Sequence, residues 1–187
     1  QGMGKTQKGL AFLLGLSGRS EWTQRFADLV DKHLDRGDSD NLLYINAGTG
    51  SHALAIAERF GEKTDIFATC ANEDILSIAL DKAAALRSDV DFSMIRFEDD
   101  AFDTVLGDAT LLKPTEIQNF IDDAVRVART GGEVAVFLPT AGSYGEIVSL
   151  LWEVLFTEGL GEHGAAAEKI ITDIPTISRI EEIAKNA

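Results

Sequence analysis

The sequence predicts a doubly wound α/β domain, a mainly parallel sheet with helices on both faces in three layers (α/β/α). Three observations predict it. Short continuous apolar runs alternate with helix-period segments from about residue 42 to residue 138. The first apolar run leads straight into a glycine-rich turn that opens a helix. A length of 187 residues, 45% of them hydrophobic, is enough for one well-buried core.

The elements follow in order. From Ser20, a residue suited to an N-cap, Trp22, Phe26, Leu29, Val30 and Leu34 recur at three- and four-residue spacing. That spacing marks an amphipathic helix ending near Gly37. Charged residues Asp35 to Asp40 form a loop before Leu42-Leu43-Tyr44-Ile45, the kind of run found in a strand buried on both faces. A helix from about Ser51 to Phe60 stops at Gly61, a strand occupies Asp65 to Thr69, and Asn72 caps the next helix. Ile75, Leu76, Ile78, Ala79, Ala83 and Leu86 make that helix's inner side. Further strands are expected at Val90 to Met94 and Asp103 to Leu106.

Thr115 and Gln118 form a capping box for a helix running to Arg129. Gly131-Gly132 ends that helix and leads into a fifth strand, Glu133 to Leu138, stopped by Pro139. Strands joined through helices of this length need right-handed crossovers, which makes the sheet parallel. Ser143 with Glu146, and Ser178 with Glu181, are capping boxes for two late helices. Tyr144, Trp152 and Phe156 on the first of these are read as core aromatics. Residues 1–19 are expected to be a tail and leading segment, and residues 20–187 one domain.

Composition excludes several functions. Lysine and arginine total 17 against 31 acidic residues, a formal charge of −14, and that field repels a phosphate backbone, so nucleic acid is not an expected partner. No apolar run approaches the ~18 residues of a membrane span, Leu10 to Leu16 being the longest early one, so no membrane partner is expected and a cytoplasmic location is. Cys70 is the only cysteine, and His33, His52 and His163 lie far apart, so no disulfide and no metal are expected. Gly4-Lys5-Thr6 echoes the end of a phosphate-binding loop but lacks the strand that such a loop follows.

The chemistry is concentrated in the turn after the first strand, Asn46-Ala47-Gly48-Thr49-Gly50-Ser51. Glycines allow a tight turn there and let a ligand approach the backbone at a helix N-terminus. With the following Ala53-Leu54-Ala55-Ile56-Ala57, this turn resembles motif I of class I S-adenosylmethionine-dependent methyltransferases, of the type 11 kind. Three more segments resemble that family in order: Asn72 to Ala79, Glu98 to Val105, and Arg126 to Glu133. The resemblance covers roughly Ser20 to Pro139 and implies a Rossmann-like fold, S-adenosylmethionine as cofactor and a small-molecule methyl acceptor.

It also implies site residues. Tyr44, Asn46, Ala47, Gly48, Thr49 and Gly50 would meet the cofactor at the first turn. Cys70 and Ala71 would do so beyond the second strand, and Gly107 and Asp108 beyond the fourth. Pro139 and Thr140 would lie near the acceptor. No catalytic residue is implied, because in-line methyl transfer rests on proximity and orientation.

Against the family's pattern, Tyr44 and Cys70 stand where carboxylates are usual, Asn46 replaces the first glycine, and Arg96-Phe97 follows the third strand without the expected acid. Asn46, Asn72, Asp99 and Asp100 are candidates to substitute, with caps, turns and solvated positions as the alternative roles. Two other functions remain open at this point. One is a non-catalytic binding or assembly protein on the same fold. The other is a nicotinamide dehydrogenase, since Gly48-Thr49-Gly50-Ser51-His52-Ala53 also fits Gly-x-Gly-x-x-Ala, although Ala68-Thr69-Cys70 lacks the expected acid. Family members usually add two strands after a helix resembling Thr176 to Ala187. A five-strand sheet would leave an edge for the late helices or a second copy of the chain, as a homo-oligomer, to cover.

Overall fold

The computed structural model describes residues 21–34, 41–138, 140, 153–154, 157–159, 161–163, 169 and 173–187. The chain divides into two compact units, residues 1–108 with 124–136, and residues 109–123 with 137–187.

In the first unit the elements are α1 (Glu21–His33), β1 (Asn41–Ile45), α2 (Ser51–Phe60), β2 (Asp65–Thr69), α3 (Glu73–Leu86), β3 (Asp91–Ser93) and β4 (Phe102–Asp108), with most of β5 (Ala128–Phe137). The helix α4 (Ile117–Val127) enters this unit at Ala124. The strand order is β3-β2-β1-β4-β5, and β1 pairs in parallel with β2 and with β4, as β2 does with β3. This is the doubly wound Rossmann-like arrangement that the alternation predicts. The chain reverses its direction of travel across the sheet between β1 and β4, where the carboxyl ends of open parallel sheets form a crevice.

Apolar character explains the central place of β1. Leu42, Leu43 and Tyr44 are each about 1% exposed, so both faces of the strand are covered. Leu43 joins Phe102, Val105, Ala124, Val127 and Ala128 in one cluster, with Phe67, Phe97 and Val134 against it. Phe67, Phe97 and Phe102 meet edge to face, with centroids 4.9 to 5.9 Å apart. Burial of each such side chain stabilises the fold by roughly 2 to 3 kcal/mol relative to exposure.

Helix ends match their signals in α2, which stops at Gly61, and in α3, where the Asn72 side chain accepts from the Ile75 N–H at 3.0 Å. Two positions expected to face inward are instead exposed: Leu29 on α1 and Leu86 at the end of α3. The buried stripe of α1 is Thr23, Phe26, Ala27 and Val30. Leu86 immediately precedes Arg87, which takes a left-handed conformation as C-cap (φ 52°).

β5 departs most from expectation. Gly131 and Gly132 lie inside the strand rather than before it. Ala101 N–H donates to Val127 O, and Ala109 N–H donates to Phe137 O, so β5 advances two residues more than β4 between these bonds. Within this stretch Gly131 has φ 84°, and a Cβ on Gly132 would lie 2.7 Å from Asp103 O. At this amino edge Arg126 pairs with Asp99 at 2.5 Å and Arg129 with Asp103 at 2.8 Å.

In the second unit, Pro114–Glu116 is a short 3-10 turn. The capping there is by Glu116, whose carboxylate accepts the Lys113 N–H at 2.9 Å; Gln118 instead bonds Asp122 along the helix surface. The expected Thr115–Gln118 box is thus displaced, because α4 itself begins only at Ile117. The last helix, α5 (Ile177–Asn186), is capped by Thr176, which accepts the Arg179 N–H at 3.3 Å, two residues earlier than the Ser178–Glu181 pattern suggested. The Ser143–Glu146 box, Tyr144, Trp152 and Phe156 lie outside the described residues.

Candidate functional site

Parallel strands end together, so the turns after β1, β2, β3 and β4 line one edge of the sheet. The first of these turns is built from unusual backbone. Asn46, Gly48 and Gly50 all have positive φ, at 58°, 54° and 86°. Asparagine is one of the few residues with a Cβ that tolerates this region, which is how the turn keeps its shape without the first glycine. Side-chain bonds hold Asn46 in place: its Nδ2 donates to Asp108 O at 2.8 Å, and its N–H donates to Thr69 Oγ1 at 3.3 Å.

The two glycines serve different ends. A Cβ on Gly50 would stand 2.7 Å from the Phe92 ring and 3.3 Å from Ala79 Cβ, so Gly50 lets the turn pack against β3 and α3. A Cβ on Gly48 would meet nothing within 4 Å. The backbone at Gly48 is therefore bare on a side open enough for a ligand. Lys82 of α3 donates from Nζ to Thr49 Oγ1 at 2.8 Å and to Ser51 Oγ at 3.1 Å, tying the turn to that helix.

Tyr44, in the place of a usual carboxylate, points into the protein. Its hydroxyl and His52 Nδ1 share a hydrogen bond of 3.2 Å, and the His52 ring stacks on Phe26 with centroids 4.2 Å apart and planes 9° from parallel. Burial holds the phenol well above its ordinary pKa of 10.0, and the Asp108 charge adds to this. Burial also holds His52 below 6.5, opposed by Asp108. Both groups are neutral near pH 7. Sequence alone gives His52 no role at this site; its position in the first turn of α2, directly after the glycines, is the signal that could have found it.

Cys70 is buried and donates its thiol to Gly48 O at 3.5 Å, while its N–H donates to Ser93 O at 2.9 Å. Burial pushes its pKa up to about 11, so it is a neutral thiol that carries no charge for a ribose hydroxyl to meet. The proposed substitutes for the missing acids are otherwise engaged. Asn72 caps α3 and Asn46 bonds to Asp108 O. Asp99 and Asp100 precede β4, which puts them on the amino edge of the sheet, opposite the glycine turn; Asp99 there pairs with Arg126.

Among the remaining expected positions, Ala47 and Gly107 are buried, Thr49 and Asp108 are half-buried and Ala71 is exposed. Asp108 ends β4 beside the turn. Pro139 lies outside the described residues, and Thr140, in the second unit, is half-buried. Among the described residues no cluster of three His, Cys, Asp or Glu is placed to hold a metal.

The turn and the strand ends thus fit a ligand that lies against bare backbone at Gly48. They offer one half-buried carboxylate, Asp108, and no carboxylate at the end of β2.

The sequence profile of the ubiE/COQ5 methyltransferase family matches residues 8–164. No curated protein matches the chain. Among solved structures, the PH0226 protein of Pyrococcus horikoshii is 19% identical, covering 76% of this chain and 65% of that one, with a TM-score of 0.58. The [4+2]-cyclase SpnF is 29% identical over 64% of this chain and 47% of its own, with a TM-score of 0.54. A phosphoethanolamine N-methyltransferase 2 of Haemonchus contortus, solved with phosphomonomethylethanolamine and S-adenosylhomocysteine, is 18% identical over 87% of this chain and 36% of its own, with a TM-score of 0.61. The chain therefore spans about a third to two thirds of the length of these structures.

Proposed function

The chain belongs to the ubiE/COQ5 methyltransferase family, and from that premise we propose that it transfers a methyl group from S-adenosylmethionine to a small-molecule acceptor. The observation that carries the reading is the turn from Asn46 to Gly50, with its three positive φ angles and open space over Gly48, at the switch point between β1 and β4. When bound, the cofactor supplies an electrophilic methyl group on a cationic sulfonium.

The chain's own residues bind and orient. Gly48 and Thr49 present backbone to the ligand, Lys82 fixes the turn, and Gly107 and Asp108 close the end of β4 beside it. The formal charge of −14 draws a cationic cofactor and disfavours acceptors with a phosphate backbone. No helix among the described residues is long and apolar enough to cross a membrane. A cytoplasmic reaction, carried by residues 20–187 as one functional domain, is part of the proposal.

Isothermal titration with S-adenosylmethionine and S-adenosylhomocysteine, with NAD as comparison, tests the reading. Saturable micromolar binding of the first two, lost on Gly48→Val, supports it. No heat from a folded sample would sink it in favour of a second reading, a non-catalytic relative. The neutral Cys70 thiol at the end of β2 favours that second reading, since a carboxylate bonded to ribose hydroxyls contributes about 1.5 to 3 kcal/mol per bond.

A further inference from the structure

The His52 imidazole joins three elements beside the glycine turn. It sits in the first turn of α2, its Nδ1 shares the hydrogen bond with the Tyr44 hydroxyl of β1, and its face stacks on Phe26 of α1. The Phe26 and Tyr44 rings also meet, with centroids 5.8 Å apart, so the imidazole completes a cluster of three rings.

Protonation of this ring rearranges the cluster. Tyr44 keeps its proton near pH 7, because burial and the Asp108 charge both raise its pKa. Its hydroxyl is then the donor to an unprotonated Nδ1. A second ring proton turns Nδ1 into a donor and forces the hydroxyl to accept instead. The imidazolium so formed lies at the positive end of α2, where a cation is disfavoured.

The surrounding charges give it one ally. Asp108 at the end of β4 favours the imidazolium, and burial opposes it more strongly. The Lys82 ammonium of α3 donates to Ser51 Oγ, one residue before His52, and adds a like charge. α1 turns Phe26 to the ring and its charged residues from Arg25 to Lys32 to solvent, while Glu58 and Arg59 stand at the far end of α2. The one charged residue of β2, Asp65, opens that strand at the opposite edge of the sheet.

We propose that His52 is a proton-operated brake on the ligand site: a proton on its imidazole and the sulfonium charge of the ligand exclude one another, so the chain loses its preference for S-adenosylmethionine over S-adenosylhomocysteine as pH falls. The inference rests on the reading that the ligand is S-adenosylmethionine. Two cations beside one turn then share a single half-buried carboxylate. A ligand that lowers the His52 pKa releases a proton as it binds. Its affinity is full above the pKa of the free chain and declines below it, by up to about tenfold for each unit of lowering.

The test uses the full chain and its His52→Gln, Phe26→Leu and His33→Gln variants. Each is titrated calorimetrically with both nucleosides at pH 7.5 and pH 5, with thermal transitions to check folding, and the His52 pKa is followed by NMR with and without ligand. The wild type should weaken for S-adenosylmethionine by about threefold or more on acidification, with little change for S-adenosylhomocysteine. S-adenosylmethionine should lower the His52 pKa. His52→Gln should remove the difference between the nucleosides. Phe26→Leu opens the ring to water and should move the loss to higher pH, whereas His33→Gln, an exposed imidazole at the end of α1, should behave as the wild type.

Equal losses for the two nucleosides overturn the proposal, as does a pH-independent preference in the folded chain. A difference that persists in folded His52→Gln assigns the proton to another group and overturns it too. Should that variant not fold, an unchanged His52 pKa on adding S-adenosylmethionine to the wild type overturns it. If the folded wild-type chain binds neither nucleoside at pH 7.5, the proposed function fails and takes this inference with it.

Discussion

The Tyr44 hydroxyl lies 3.2 Å from His52 Nδ1, which joins the end of β1 to the first turn of α2 across the glycine turn. His52 is held neutral by burial, so its pKa in the folded chain is below 6.5. As pH falls below 6.5 the unfolded chain takes up a proton that the folded chain does not, and stability is lost until the folded pKa is passed. Urea midpoints at pH 7.5 and pH 5 should show this loss. His52→Gln should be less stable at pH 7.5 but lack this component of the acid sensitivity.

Gly50 and Gly48 should separate on substitution. Gly50→Ala combines a positive φ with a clash on the Phe92 ring, and it is expected to cost about 2 to 4 kcal/mol. Gly48→Ala meets open space and carries only the backbone term, about 1 to 2 kcal/mol. Chemical denaturation gives both values, and equal losses would contradict the packing described for Gly50.

Cys70 should react slowly with a thiol reagent at pH 8 in the folded chain and rapidly in urea. Its raised pKa makes the folded chain hold the proton where the unfolded chain has lost it. Stability therefore falls as pH rises from about 9 to about 11. Cys70→Ser should flatten that part of the profile.

Asn46→Gly and Asn46→Ala should also differ. Both lose the bond to Asp108 O, but glycine adopts φ 58° without strain and alanine does not. Alanine is expected to be less stable than glycine by about 1 kcal/mol, measured by thermal unfolding of the pair.

Much of the fold was legible because local signals and burial agreed. The strand Asp65–Thr69 and the helix Ser51–Phe60 have their expected bounds, and Asn72 and Gly61 sit at helix ends as their chemistry suggests. Where two signals competed, sequence was ambiguous. Thr176 and Ser178 are both able to cap α5, and only the backbone geometry selects Thr176. Gly131-Gly132 reads as a helix stop, yet both residues lie inside β5, with Gly131 at φ 84°.

The site was legible in its backbone and less so in its side chains. Glycines at 48 and 50 mark the turn directly, because the conformation demands them. The Tyr44–His52 contact spans a strand and a helix, and no periodicity predicts it. Asp99 and Asp100 looked near the ligand in sequence, but strand direction sends them to the other edge. Asp108 was legible from its place at the end of β4.

The clasp of Arg126 on Asp99 and Arg129 on Asp103 lies at the amino edge, with the aromatic cluster of Phe67, Phe97 and Phe102 behind it. The ligand turn lies at the carboxyl edge. Structural anchoring and chemical work are thus assigned to opposite ends of the same strands. An exchange such as carboxylate for thiol at position 70 can alter what the protein recognises while the far end keeps the scaffold assembled, so new chemistry can be tried at one end without remaking the other.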